Sequence, residues 1–142
     1  MGKGQKGTRV VLDTNVLVSA LILGGRLAAI VDLWKAGVII PVLSRETFEE
    51  FGRVLRYPRF KMTDEDIRAI VEKEVLPYFE VVEPREAQTG LSADPEDDKF
   101  FSCALAGRCE FLVRGDRHIL AIKRHGSVRV ITPKQLLERF LP

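Results

Sequence analysis

Four carboxylates in this chain are spaced so that an α/β fold would gather them. Asp13 ends an apolar run, Val10 to Leu12, and a second apolar stretch with helical spacing starts at Val16. The simplest reading is a buried parallel strand, a tight turn and a buried helix. Asp116 follows another apolar run, with Arg114 and Gly115 between it and Val113. Glu50 falls on the helix expected after the second strand, and Asp97 in the first turn of the helix expected before the fourth. In α/β proteins the carboxyl ends of the strands open into the ligand crevice. All four acids are therefore expected at one sheet edge.

Such a cluster repels itself. At ~4 Å and an effective dielectric near ~20, each pair costs roughly 4 kcal/mol. Several pairs would consume much of a folding free energy of about 5–15 kcal/mol. A divalent cation reverses the sign, and oxygen-only ligands favour Mg²⁺ or Mn²⁺ over zinc. Mg²⁺ keeps waters that can attack a phosphodiester. The pattern points to metal-dependent hydrolysis.

Each acid also has an ordinary explanation. Asp13 suits a helix N-cap and the positive end of the helix dipole. Glu49 rivals Glu50, and Glu46, on the face of Glu50, is a weaker rival. Asp97 competes with Asp94, Glu96 and Asp98, although Asp94 before Pro95 is better explained as a cap. Gly115-Asp116 is also a common loop dipeptide.

The elements that position these groups follow from periodicity and stop signals. Residues 1–7 read as a flexible N-terminal tail and residues 8–142 as a single domain. Strands are expected at Val10–Leu12, Val38–Leu43, Tyr78–Val82, Glu110–Val113 and Val128–Ile131, with Pro41 suiting an edge or a bulge. Helices are expected from Val16 to the Gly24-Gly25 stop, over Leu27–Ala36, from the cap Ser44 to Leu55, and over Asp64–Leu76 behind a Thr63/Asp66 box. Three more are expected: from Asp94-Pro95 to Ala106, a short basic one over Ile119–His125, and from Thr132-Pro133 to Phe140. Strands and helices alternate, which implies an α/β fold with a largely parallel sheet covered on both faces.

Composition excludes several classes. With 46% hydrophobic and 30% charged residues the chain is globular rather than disordered. A net charge of +2 leaves nucleic-acid affinity to local arrangement. Basic residues cluster at Arg45, Arg53, Arg56, Arg59 and Lys61, and again at Arg108, Arg114, Arg117, Lys123 and Arg124. Cys103 and Cys109 form no C-x-x-C pair and read as small buried residues of a reducing cytoplasm. No signal core or membrane-length apolar run is present, so a cytoplasmic location is expected. There is no G-x-x-x-x-G-K-[ST] loop and no G-x-G-x-x-G. His118 and His125 lack zinc-protease spacing, and Ser19 and Ser44 lack a nucleophile setting. A haloacid-dehalogenase-type phosphatase would want a second Asp where Asn15 stands.

Four blocks then carry a family resemblance. V-L-D-T-N-V-L-V-S-A-L (11–21) is similar to the opening motif of PIN domains, the PilT N-terminus-like family. S-R-E-T-F-E-E-F-G-R-V-L-R-Y-P-R-F (44–60), D-P-E-D-D-K-F (94–100) and F-L-V-R-G-D-R-H-I-L (111–120) resemble the later blocks of its toxin-like branch, that of VapC-type ribonucleases. The resemblance covers about residues 8–140. It implies a three-layer α/β/α sandwich with a five-stranded parallel sheet of order 3-2-1-4-5. It implies a Mg²⁺- or Mn²⁺-dependent ribonuclease, a toxin with a cognate antitoxin, and a homodimer. It maps the catalytic and metal-binding quartet onto Asp13, Glu50, Asp97 and Asp116. Asn15 and Ser19 become supporting groups, joined by Asp98 where the branch often has Asn.

One position departs from the pattern. Many relatives have Thr or Ser where Arg114 stands. Arg114 either points at a substrate phosphate, which suits a guanidinium, or marks weakened activity. Arg53, Arg56, Arg114, Arg117 and Lys123 are the candidate rim for a single-stranded RNA substrate. Asp13→Asn or Asp116→Asn is expected to abolish cleavage and leave folding intact or improved. The competing reading is a catalytically weakened PIN module that acts by binding RNA or protein. A flap-type DNA nuclease is disfavoured, because 142 residues leave no room for DNA-gripping additions.

Overall fold

The computed structural model describes residues 7–85, 97–115 and 124–141. Strand β1 (Thr8–Leu12) lies at the centre of the sheet. Its side chains alternate between two cores: Val10 and Leu12 pack on one face and Val11 on the other. An unbroken apolar run is what a strand covered on both faces needs.

Helix α1 (Thr14–Val18) follows and continues as a π-helical turn, Ser19–Leu23. It stops at Gly24 and Gly25, whose φ angles of +70° and +68° suit glycine alone. A 3₁₀ turn, Gly25–Leu27, leads into α2 (Ala28–Lys35), β2 (Ile39–Ser44) and α3 (Arg45–Leu55). Ser44 and Thr47 form a capping box that starts α3. Next come α4 (Asp64–Ile70), boxed by Thr63 and Asp66, a π-helical turn over Val71–Val75, and β3 (Glu80–Val82). Then follow α5 (Asp98–Ala106), β4 (Phe111–Val113), β5 (Arg124–His125), β6 (Val128–Ile131) and α6 (Pro133–Phe140).

The sheet order is β3-β2-β1-β4-β6-β5. Every pairing is parallel except β5 with β6. With β6 counted as the fifth parallel strand, the order 3-2-1-4-5 holds. Among the described residues, helices α1, α2, α3, α4 and α6 pack on one face, and α5 alone packs on the other, through Phe100, Phe101, Cys103 and Ala104.

Two local expectations differ from the structure. Arg124 and His125 form a strand rather than the end of a helix; residues 119–123 lie outside the described residues. The cause is the Gly126-Ser127 turn, where Gly126 has φ +58° and brings His125 opposite Val128. Pro41 lies in an interior strand rather than at an edge, but β3 begins to pair only at Val42, past the proline. Gly7 is closely packed: a Cβ there would come within 2.5 Å of the Gly37 carbonyl.

Both cysteines are free and buried. Burial pushes the Cys103 thiol up to about 11 and the Cys109 thiol up to about 12. Among the described residues no single helix is long and apolar enough to cross a membrane.

Candidate functional site

In a parallel sheet every strand delivers its carboxyl end to the same edge. There β1 hands over to Asp13, β2 to α3, and β4 to Arg114. The Asp13 N–H donates to the Val113 carbonyl at 3.0 Å, fastening the turn after β1 to β4. Asp13 Oδ1 accepts from the Val16 N–H at 2.9 Å, so the capping role is real. The same residue is only 6% exposed, and its other carboxylate oxygen faces a cation. Cap and site residue are therefore compatible.

That cation is Arg114. Its N–H donates to the Ile131 carbonyl at 2.9 Å, and its side chain turns inward rather than toward solvent, leaving the residue 7% exposed. Nε stands 3.8 Å from Asp13 Oδ2, and Nη1 stands 2.9 Å from Asp97 Oδ2. One guanidinium thus joins the end of β1 to the segment that opens α5. Nε is buried and finds no hydrogen-bond partner among the described residues, because 3.8 Å is a charge contact and not a hydrogen bond.

Glu50 reaches the same edge from α3. Its Oε2 accepts from the Thr14 hydroxyl, and its Oε1 pairs with Lys99 Nζ at 2.7 Å. Thr14 follows Asp13 directly and Lys99 lies just beyond Asp97. Glu50 is therefore bound to the same two segments, through their neighbouring residues. Its rivals point elsewhere: Glu49 pairs with Arg45 at 3.3 Å on the exposed side, and Glu46 is exposed.

The other expected residues differ in exposure. Asn15 is exposed, Ser19 is half-buried on the π-helical turn, and Asp98 is buried as the first residue of α5. Arg53 and Arg56 lie exposed on and just beyond α3, with Arg56 Nη1 donating to the Gly52 carbonyl at 3.0 Å. Asp116, Arg117 and Lys123 lie outside the described residues. Sequence reasoning passed over Thr14 and Lys99. Both sit inside quoted motifs, D-T-N and D-D-K-F, where they read as spacers.

The donor set suits a hard divalent cation, since every candidate ligand is a carboxylate oxygen. Asp13 and Asp97 already converge on one positive group, as an ion would require. Glu50 is committed to Thr14 and Lys99. Among the described residues no group of three carboxylate, imidazole or thiolate side chains stands ready to hold an ion. Asp13 and Asp97 fit as a pair, with an internal cation between them.

The comparisons with known proteins agree with this fold. The crystal structure of PAE2754 from Pyrobaculum aerophilum has the same fold, with a TM-score of 0.59 at 23% identity over 95% of this chain and 92% of that one. No curated protein shows significant similarity. The PIN domain model matches residues 9–118, a span that includes Asp13, Glu50, Asp97 and Asp116. PIN domains are generally nucleases and typically use divalent metals. The match over most of the chain places it in that family: it is a PIN domain.

Proposed function

We propose that this PIN domain is a Mg²⁺- or Mn²⁺-dependent ribonuclease that hydrolyses RNA phosphodiester bonds at the carboxyl edge of its sheet. We further propose that it is the VapC-type toxin of a toxin–antitoxin pair, working as a homodimer in the cytoplasm. The observation that carries the nuclease reading is the convergence of buried Asp13 with Asp97 on a single cation position.

Asp13, Glu50, Asp97 and Asp116 would hold the ion. When bound, it supplies Lewis acidity to the scissile phosphate. The chain does the rest. The Val16 N–H fixes Asp13, so this carboxylate needs no reorganisation. The Thr14 hydroxyl orients Glu50. Exposed Arg53 and Arg56, together with Arg117 and Lys123, would take the RNA backbone, a salt-sensitive interaction.

The test is cleavage of single-stranded RNA by wild type and Asp13→Asn, with Mn²⁺ and with chelator. Loss of cutting in the variant and in chelator is expected. Equal cutting by all would refute the reading. The second reading, a weakened module that binds RNA or protein, is favoured by one observation: Arg114 and Lys99 neutralise the acids from within. It predicts no metal-dependent cleavage by the wild type.

A further inference from the structure

We propose that Arg114 is a built-in competitor of the divalent ion: its guanidinium holds the Asp13 and Asp97 oxygens, and the ion binds only when that guanidinium withdraws. The inference rests on the nuclease reading and concerns the regulation of the same site.

Three observations support it. The first is position. Arg114 is buried, and two of its nitrogens address carboxylates from two different segments, at 3.8 Å and 2.9 Å. A hard cation would use those same oxygens, and two cations cannot share them without like-charge repulsion. The second is incomplete satisfaction. A buried guanidinium kept purely for structure would fill its donors, yet buried Nε has no hydrogen-bond partner among the described residues. The third is charge balance. Lys99 lies 2.7 Å from Glu50, so Lys99 and Arg114 together offset part of the charge of Asp13, Glu50 and Asp97 before any ion arrives. That partial compensation weakens the pull of these carboxylates on a divalent ion.

A ligand whose binding-competent state is only fractionally populated shows an apparent affinity reduced by that fraction. Arg114 sets the fraction here. Removing its charge raises the fraction toward one and also exposes the repulsion between Asp13 and Asp97 in metal-free protein.

The experiment is calorimetric titration of the metal-free full chain with Mn²⁺, comparing wild type, Arg114→Ser and Arg114→Lys, with thermal melts of each. Arg114→Ser is expected to bind Mn²⁺ about tenfold or more tightly than wild type. Arg114→Lys, which keeps the charge, is expected to stay near wild type. Chelated Arg114→Ser should melt below chelated wild type and gain more from saturating Mn²⁺. If the Ser variant does not fold without the ion, Arg114→Gln, with a longer hydrogen-bonding side chain, carries the same comparison. Unchanged or weaker Mn²⁺ affinity in the neutral variants overturns the proposal, as does a lack of binding in all of them. RNA cleavage that persists in chelator sinks the nuclease reading instead. Metal-dependent cleavage with no tightening at position 114 sinks only this inference.

Discussion

Arg114 Nη1 lies 2.9 Å from Asp97 Oδ2, a buried contact that ties the end of β4 to the segment that starts α5. The pair sits where the two cores meet at the sheet edge, because α5 covers one face and α1 the other. The relief expected from replacing one acid by its amide presumes an uncompensated cluster. Arg114 stands 2.9 Å from Asp97, so at that acid the lost attraction to the guanidinium opposes the relief and the sign changes.

Asp97→Asn should therefore destabilise the metal-free protein. The guanidinium would keep only its longer contact to Asp13. The side chain of Asp97 is 18% exposed, so the loss falls below that of a fully buried pair; about 1–3 kcal/mol is expected. The double variant with Arg114→Met should lose less than the sum of the single losses. Urea unfolding in chelator measures all three, and simple additivity would show the two residues to be uncoupled.

Cleavage should separate ligand from support. Asn caps a helix as well as Asp does, so Asp13→Asn keeps α1 and should lose activity by roughly 100-fold or more. Thr14→Val keeps Glu50 but removes the hydroxyl that orients it, and should lose only about 10- to 100-fold. Initial rates on a single-stranded RNA at saturating Mn²⁺ rank the two. A Thr14→Val loss equal to that of Asp13→Asn would contradict the division of roles.

Gly107→Ala should disturb the packing of α5 on the sheet. A Cβ there would lie 2.8 Å from Val42 Cγ1 and 3.2 Å from Cys109 Sγ, with the backbone in an ordinary helical region. Overpacking of this kind costs about 1–3 kcal/mol. A lowered urea midpoint with an unchanged m-value is the expected result.

The thiols make stability fall at alkaline pH. Unfolded cysteines ionise near their ordinary value of 9.0, whereas folded Cys109 stays neutral until about 12 because burial disfavours the thiolate. The unfolded chain thus sheds protons first, and stability declines as pH rises from 9 toward 12, by up to about 1.4 kcal/mol per pH unit for each thiol. Cys109→Ala should show a shallower decline than wild type between pH 9 and 11. Parallel curves would remove the thiol from the explanation.

Much of the fold was legible in local chemistry. The run Val10–Leu12 ending at Asp13, the caps Ser44, Thr63 and Thr132, and the glycine stop at Gly24-Gly25 each act over a few residues. Alternation of strands and helices then implies a parallel sheet, whose order 3-2-1-4-5 followed from the family resemblance, and such a sheet delivers Asp13, Glu50 and Asp97 to one edge. The interior place of Pro41 was not legible, because it depends on where β3 begins to pair. The β5 hairpin carried a signal, Gly126-Ser127, that the basic run before it obscured.

The site divides in the same way. Residue spacing decides which element carries a group and at which end of the sheet it emerges, so the acids could be named. It does not decide where a long cationic side chain points, because Arg and Lys have many rotamers of similar local energy. Only the assembled neighbours select one. Spacing was enough to put Asp13, Glu50 and Asp97 on elements that open at one edge; packing of those elements then turned Arg114 between Asp13 and Asp97, because that is where its charge finds partners out of water.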